Sequence, residues 1–176
     1  YAAGLDSLLT IGGRLYVENN GALFDLTGLQ QVTSIGSDLI IQNNNNLRNV
    51  AGLSRVQSID GQLTIAQNQW LGSLVGLDHI DHTSITDLRI HSCPQLSICE
   101  VTSICQYLND GGTAFINGNA ANCSSIAEVQ TACMTTPVND RTDLSARILL
   151  LHRKSHTHHG PYRTASALRS SGTFFA

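Results

Sequence analysis

The stretch IGGRLYVENNGALFDLTGLQQVTS, residues 11–34, is followed directly by IGSDLIIQNNNNLRNVAGLSRVQS, residues 35–58, and by IDGQLTIAQNQWLGSLVGLDHI, residues 59–80. These segments align without gaps, so the chain contains a repeat of about 24 residues. Six apolar columns stay in register: Leu15/Leu39/Leu63, Val17/Ile41/Ile65, Leu23/Leu47/Leu71, Leu26/Val50/Leu74, Leu29/Leu53/Leu77 and Val32/Val56/Ile80. One repeat cannot bury its apolar face alone, so we expect successive repeats to stack.

Two apolar spacings occur within each repeat. Leu15 and Val17 are two residues apart, as in a strand with one buried face. From Leu23 onward every third residue is apolar, which fits a path that turns corners better than it fits an α-helix. If each strand pairs in parallel with its copy about 4.8 Å away, the fold is mainly β. We therefore predict a right-handed parallel β-helix-like solenoid with coils of about 24 residues.

The flanking residues set the limits of the repeat region. Residues 1–10 fit the second half of a repeat, so we interpret the chain as a fragment truncated at its N-terminus. The lack of a signal peptide in this fragment then has no bearing on export. A looser fourth repeat begins at Ile85, after an insertion near His82, and has Cys93 in the place of asparagine. The predicted repeat region is residues 1–96.

Two polar columns also recur. The first contains Asn20, Asn44 and Asn68. Asparagine tolerates left-handed backbone and bonds neighbouring backbone groups, so we interpret this column as a structural ladder rather than as ligand contacts. The second contains Gly28, Gly52 and Gly76. We interpret these glycines as positions that need a positive φ or a close backbone approach.

The pattern I-G-G-x-L-x-V-x-x-N-x-x-L-x-x-L-x-G-L, which starts at Ile11, resembles the receptor L-domain and its leucine-rich-repeat-like relatives. These include ligand-binding domains of insulin and epidermal growth factor receptors and secreted or surface repeat proteins of bacteria, and the bacterial form is the more similar. Bacterial arrays often close with a cysteine-containing segment like residues 96–133. The resemblance implies a receptor L-domain-like fold and a secreted or cell-surface protein, but it is less specific to function than to architecture.

Residues 97–133 are predicted to form a C-terminal cap. Apolar residues recur at helical spacing through SICEVTSICQYLND, residues 97–110, and two glycines end that segment. All five cysteines fall in or beside the cap: Cys93, Cys99, Cys105, Cys123 and Cys133. Their clustering favours disulfides over zinc or free thiols, because C-x5-C-x5-C is not the spacing of a common zinc site.

The predicted helix restricts how these cysteines pair. Cys99 and Cys105 are six residues apart in the sequence and would lie on different faces of a helix, which argues against a bond between them. We therefore predict that each pairs with Cys123 or Cys133, in either arrangement. Cys93 is then left unpaired, as a small buried hydrophobic residue.

The net charge changes sign near Met134. Up to Cys133 the chain has four basic and eleven acidic residues, and after it six basic and two acidic ones. The acidic body argues against nucleic acid as a partner. Residues 134–176 lose the repeat, and we predict a basic, disordered tail whose H-x-H-H motif is solvated rather than metal-bound. No apolar run approaches the roughly 20 residues that span a bilayer, so we expect no membrane span in this fragment.

The predicted outward columns contain no catalytic arrangement. They are Arg14/Asp38/Gln62, Tyr16/Ile40/Thr64 and Glu18/Gln42/Ala66. A polysaccharide-degrading β-helix enzyme would need converging carboxylates, which no column presents. His79, His82 and His91, with Asp78 and Asp81 nearby, form the one cluster worth testing for a metal. We expect no enzymatic activity, no metal and no other cofactor.

The same columns define a candidate binding face, because their residues vary between repeats while the inward residues do not. This face comprises Arg14, Tyr16, Glu18, Asp38, Ile40, Gln42, Gln62 and Thr64. We expect a monomeric, non-catalytic, secreted or cell-surface domain that recognises an unidentified protein or glycan or mediates adhesion. A structural spacer or surface-layer stalk is the alternative, and a β-helix polysaccharide-degrading enzyme is a further one.

Overall fold

A computed structural model describes residues 4–135, which form eight β-strands, two α-helices and three short 3-10 turns. The strands are β1 (Thr10–Ile11), β2 (Leu15–Glu18), β3 (Ser34–Ile35), β4 (Leu39–Gln42), β5 (Ser58–Ile59), β6 (Gly61–Ala66), β7 (Ile85–His91) and β8 (Ala114–Asn117). The helices are α1 (Thr102–Asn109) and α2 (Ile126–Thr135). The 3-10 turns cover Thr27–Leu29, Ala51–Leu53 and His82–Ser84.

The strands pair in parallel and form two sheets. The smaller sheet has the order β1-β3-β5, and the larger has the order β2-β4-β6-β7-β8. In the larger sheet Leu15 pairs with Leu39, and Leu39 pairs with Leu63. Each pairing between the first three long strands therefore joins residues one repeat apart, and the sequence repeat sets the register of the sheet.

The predicted β-helix-like solenoid is wrong. The strands form two open sheets of three and five strands, accompanied by two helices. The part of each repeat with every third residue apolar does not supply another run of strands. In the first repeat it forms a 3-10 turn, where the Leu29 N–H donates to the Leu26 carbonyl at 2.9 Å. Other backbone bonds in this part do join neighbouring repeats, such as the one from the Arg48 N–H to the Phe24 carbonyl at 3.1 Å, but they do not form a further sheet.

The apolar core lies on one face of the larger sheet. Leu39 and Ile41 of β4 are fully buried in a single apolar cluster, whereas Ile40 between them lies outside it. This alternation is the period of two expected of a strand with one buried face. The leucines that end the first two 3-10 turns, Leu29 and Leu53, are buried in the same cluster. Burial of each such side chain stabilises the fold by about 1.5–3 kcal/mol.

A left-handed residue follows each long strand of the larger sheet. Residues in this position have φ between 54° and 68°: Asn19, Asn43, Gln67, Ser92 and Gly118. Asparagine and glycine adopt this conformation at low cost. The sequence assigned it to the asparagine that follows, and the structure places it one residue earlier. That shift leaves the following side chain free to point inward.

Two glycines of the repeated column, Gly52 and Gly76, pack closely against the backbone of the preceding repeat. A Cβ atom on Gly52 would lie 2.0 Å from the Leu26 carbonyl oxygen, so only glycine fits between these two repeats. Gly76 has a φ of 114°, and a Cβ there would lie 2.8 Å from the Ala51 Cα. Both features that the sequence predicted for this column, close approach and positive φ, are therefore present.

Two disulfides join the segments at the C-terminal end of the described residues. Cys99 bonds Cys123, and Cys105 bonds Cys133. The prediction that Cys99 and Cys105 pair with the two later cysteines is thus confirmed. Cys93 is a buried free thiol. Its burial raises the pKa of the thiol, which keeps it protonated and unreactive.

The boundary assigned to the basic tail needs one correction. Helix α2 continues to Thr135, so Met134 and Thr135, assigned to the tail from composition, are helical. The change in charge marks a change in composition, which does not fix the boundary of a helix. The rest of the predicted tail, including its histidines, lies outside the described residues.

Candidate functional site

The candidate site is the surface of the larger sheet that faces away from the apolar core, called here the outer face. Its middle row runs across all five strands in register: Tyr16, Ile40, Thr64, Arg89 and Phe115. Two rows flank it. One contains Arg14, Asp38, Gln62 and Asp87, and the other contains Glu18, Gln42, Ala66, His91 and Asn117. The eight residues predicted as a binding face all lie in these three rows.

Exposure changes along the middle row. Tyr16 and Phe115, on the two edge strands, are 51% and 50% exposed. Ile40 and Thr64, on central strands, are only 9% and 7% exposed. The expectation that Ile40 and Thr64 are exposed is therefore wrong, because side chains shorter than that of Arg89 are covered on a central strand, which has a neighbour about 4.8 Å away on both sides. The row therefore has an exposed aromatic ring at each edge, the recessed residues Ile40 and Thr64 next to Tyr16, and the exposed Arg89 between Thr64 and Phe115.

The Thr64 hydroxyl is the unusual polar group of this row. Leu63 and Ile65 point into the core, so the alternation of β6 directs Thr64 to the outer face. Among residues 4–135, Thr64 Oγ1 is the one buried side-chain oxygen or nitrogen with no hydrogen-bond partner. A hydroxyl can donate one hydrogen bond and accept two. It is an unused donor and acceptor at the centre of the row, and because the oxygen itself is buried, a ligand bonds it only after the side chains that cover it move aside.

An ion pair borders the Tyr16 end of the row. Arg14 Nε lies 2.7 Å from Asp38 Oδ2. The other oxygen of Asp38 accepts the Gln62 backbone N–H at 2.9 Å. The guanidinium carbon of Arg14 lies 5.4 Å from the centre of the Tyr16 ring, within the range of a cation–π contact. These contacts neutralise Arg14 and fix the orientation of Tyr16.

The other charged groups of the outer face are also paired. Arg89 Nε lies 2.8 Å from Asp87 Oδ2. On the opposite row, Gln42 Nε2 donates to Glu18 Oε1 at 2.7 Å. The two arginines of this face are thus each matched by a carboxylate. The groups left without a partner are the ring faces of Tyr16 and Phe115 and the recessed hydroxyl of Thr64. The charges around them alternate in sign and are paired with one another.

His91 supports the aromatic ring at the far end of the row. Its ring packs edge-on against Phe115, with centroids 5.5 Å apart and planes at 69°. Such T-shaped packing orients a ring while leaving one face free. The sequence missed this end of the face, because β8 lies within the cap where the repeat pattern is lost.

The asparagine column has a structural geometry. Asn44 is fully buried; its Nδ2 donates to the Val17 carbonyl at 2.8 Å, and its Oδ1 accepts the Asn20 N–H at 3.0 Å. Asn68, also fully buried, donates to the Ile41 carbonyl at 2.9 Å and accepts the Asn44 N–H at 3.0 Å. Each amide thereby joins two repeats, and neither side chain is accessible to a ligand.

The column continues beyond the residues named from the sequence. The Cys93 thiol occupies the next position, where its Sγ accepts the Asn68 N–H at 3.4 Å. Asn119 then restores the amide: its Nδ2 donates to the Ile90 carbonyl at 2.9 Å, and its Oδ1 accepts the Cys93 N–H at 3.0 Å. The signal was present, because Asn119 follows Ile116 at the spacing that separates Asn68 from Ile65.

The histidine cluster does not assemble into a metal site. His82 Nε2 lies 2.9 Å from Asp110 Oδ2, and its other ring nitrogen is 3.9 Å from Asp81. His91 instead packs on an aromatic ring of the outer face. Within the described part of the chain, no group of three or more His, Cys, Asp or Glu side chains is arranged to hold a metal ion.

A second exposed aromatic group lies away from the outer face and is called here the lateral patch. It consists of Phe24, Arg48 and Trp70, with Phe24 51% and Trp70 50% exposed. The guanidinium carbon of Arg48 lies 6.0 Å from the Trp70 ring centre. Arg48 also donates its backbone N–H to the Phe24 carbonyl at 3.1 Å. The lateral patch has no recessed polar group, and it provides matched control positions for the outer face.

Neither of the two helices in residues 4–135 has the length and apolar character needed to cross a membrane. In comparisons of the whole chain, no protein-family model, no curated protein and no solved structure matches it.

Proposed function

We propose that residues 4–135 form a non-catalytic recognition domain that binds a protein or a glycan through the outer face. One observation carries this proposal: a buried hydroxyl without a partner, Thr64 Oγ1, lies between two half-exposed aromatic rings. A buried polar group without a hydrogen bond is costly, and folded proteins keep few of them. A polar group of a ligand would satisfy it, while the rings supply apolar contact.

The disulfides support a location outside the reducing cytosol. The disulfide bonds Cys99–Cys123 and Cys105–Cys133 are of a kind that forms and persists in oxidising compartments. We therefore propose that the domain is secreted or lies on a cell surface. From the repeat motif that begins at Ile11, we further propose that the domain is related to receptor L-domains and their leucine-rich-repeat-like bacterial relatives.

The test uses the full chain, expressed in an oxidising compartment and applied to combined protein and glycan arrays. We expect a ligand whose signal is lost in the Tyr16→Ala/Phe115→Ala double variant. The matched control is Phe24→Ala/Trp70→Ala, which removes two rings of equal exposure from the lateral patch. A ligand lost only in the lateral-patch variant would refute the outer face as the site. Folded protein without any ligand would favour the structural spacer.

A further inference from the structure

We propose that the ligand of the outer face is a neutral oligosaccharide that lies across the strands, with sugar rings on Tyr16 and Phe115 and a sugar hydroxyl bonded to Thr64. This inference rests on the proposed recognition function and names its ligand class. Three features of the outer face support it: the separation of the two rings, the chemistry of the row and the pairing of the charges.

The separation of the rings favours an extended ligand. Tyr16 and Phe115 lie in one row and are separated by four strand-to-strand steps. At about 4.8 Å for each step, their backbones are roughly 19 Å apart. A single sugar cannot contact both rings, whereas a linear oligosaccharide can. The ligand would run perpendicular to the strands, along the middle row.

The chemistry of the row matches that of a sugar chain. The C–H groups of a sugar ring carry partial positive charge and pack on the electron-rich face of an aromatic ring. Between the rings lie the apolar surface of Ile40, the unpaired hydroxyl of Thr64 and the exposed side chain of Arg89, whose Nε is bonded to Asp87. Since a hydroxyl both donates and accepts, it bonds a sugar hydroxyl in either orientation. A pyranose ring carries both C–H groups and hydroxyl groups, so it can make both kinds of contact.

The charges indicate a neutral ligand. Arg14 and Arg89, the two cations of the outer face, are already bonded to Asp38 and Asp87. Residues up to Cys133 contain eleven acidic and four basic side chains, so the body repels anions. A sulfated or sialylated glycan would have to compete for paired arginines against this field. A neutral chain meets no such cost.

The same features disfavour a protein as the ligand. Protein interfaces cluster their most important side chains at a well-packed centre and surround them with a polar rim. Here the arrangement is reversed, because the large rings stand at the two edges and the centre is recessed. A narrow chain fits this profile better than a second folded surface does.

The experiment measures binding of the full chain, by titration calorimetry, to neutral oligosaccharides of hexoses and N-acetylhexosamines. The probes run from single sugars to hexasaccharides, and sulfated and sialylated chains are included. We expect affinity for a neutral series to rise with chain length and then level off once both rings are covered. Each of Tyr16→Ala and Phe115→Ala should weaken binding roughly threefold to tenfold. Tyr16→Phe, which keeps the ring, should preserve it.

Thr64→Val separates a binding role from a structural one. It keeps the shape of the side chain and removes a hydroxyl that has no partner in the fold. We expect binding to weaken about fivefold, while the urea midpoint stays the same or rises. A valine variant that binds as well as the parent would overturn the role of this hydroxyl. Phe24→Ala/Trp70→Ala should leave binding unchanged.

Failure of this inference is distinguishable from failure of the proposed function. If no neutral oligosaccharide binds, or anionic ones bind more tightly, the neutral-glycan inference is overturned. The recognition function still holds if an array protein loses its signal in the Tyr16→Ala/Phe115→Ala variant. If no ligand of either class depends on these two rings, both proposals are overturned.

Discussion

Replacing Asn44 by alanine tests the amide column directly. The side chain is fully buried and makes three hydrogen bonds: to the Val17 carbonyl at 2.8 Å, to the Gln42 carbonyl at 3.0 Å and from the Asn20 N–H at 3.0 Å. Alanine removes all three and retains the backbone bond to Asn68. The variant therefore isolates the contribution of one amide at the centre of the repeats.

The magnitude follows from the groups that Asn44→Ala would leave without a partner. Gln42 is half-exposed, so water can reach its carbonyl. The Val17 carbonyl belongs to a buried residue, and the Asn20 N–H is partly shielded. At about 1–3 kcal/mol for each buried group left unpaired, we expect a loss of roughly 2–4 kcal/mol. That is a large fraction of the roughly 5–15 kcal/mol by which folded domains are stable.

The assay is urea denaturation followed by the fluorescence of Trp70, the single tryptophan of the chain. With a slope of about 2 kcal/mol/M, the midpoint should fall by roughly 1–2 M. Asn68→Ala should lose a similar amount, because its amide joins the next two repeats in the same way. Asn20→Ala is the matched control. Its exposed side chain donates only to the Glu18 carbonyl, so the loss should stay below about 0.5 kcal/mol.

Equal decreases of the urea midpoint in Asn44→Ala and Asn20→Ala would refute the structural role of the amide column. An Asn44→Ala variant with an unchanged midpoint and an unchanged slope would refute it as well. Either result would mean that solvent or a backbone shift satisfies the freed groups, and that the amide column does not hold the repeats together.

Three further predictions concern the cysteines and the carboxylates. Titration with a thiol reagent should detect no reactive thiol in the native protein and one after unfolding without reductant, because Cys93 alone is free and its buried thiol has a raised pKa; three or five thiols would contradict the pairing. Loss of the Cys105–Cys133 bond in a double serine variant should cost roughly 3.5 kcal/mol, the chain-entropy value for a loop of 28 residues, and a shift of the urea midpoint below about 0.5 M would contradict it. Hydrogen bonds from Ser124 lower the folded-state pKa of Glu128. The stability that Glu128 contributes is therefore present above its unfolded pKa of about 4.3 and is lost as the pH falls through the lower folded value. Glu128→Gln should lose less stability than the parent in that acidic range, and an unchanged acid profile would contradict this.

The strands and the core could be predicted from the sequence, and the closure of the sheets could not. The alternation Leu39, Ile40, Ile41 was sufficient to assign which side chains enter the core. The three-residue spacing, however, reports only which side chains point inward. It does not report whether the backbone bonds a neighbouring repeat or closes on itself, as it does in the turn Ala51–Leu53.

The candidate site could be predicted only in part. Its three rows followed from the repeat, but the exposure of each residue depends on which strands lie at the sheet edges. That required β8, whose residues Ala114–Asn117 lack the leucine pattern and were assigned to the cap. Without Phe115, the sequence offered Tyr16 as an isolated aromatic residue. The unpaired state of the Thr64 hydroxyl is a property of packing, and no sequence pattern carries it.

The one-repeat register between β2, β4 and β6 makes the width of the outer face adjustable in discrete steps. Each strand carries its own backbone pairing, its own amide and its own turn, so a tandem duplication of residues 35–58 would bring a complete set of these with it. The inserted strand would move Tyr16 and Phe115 apart by about 4.8 Å without altering either ring's surroundings. Gain or loss of whole repeats would then change the distance between the two rings in fixed steps, and the preferred length of the ligand would change in the same steps.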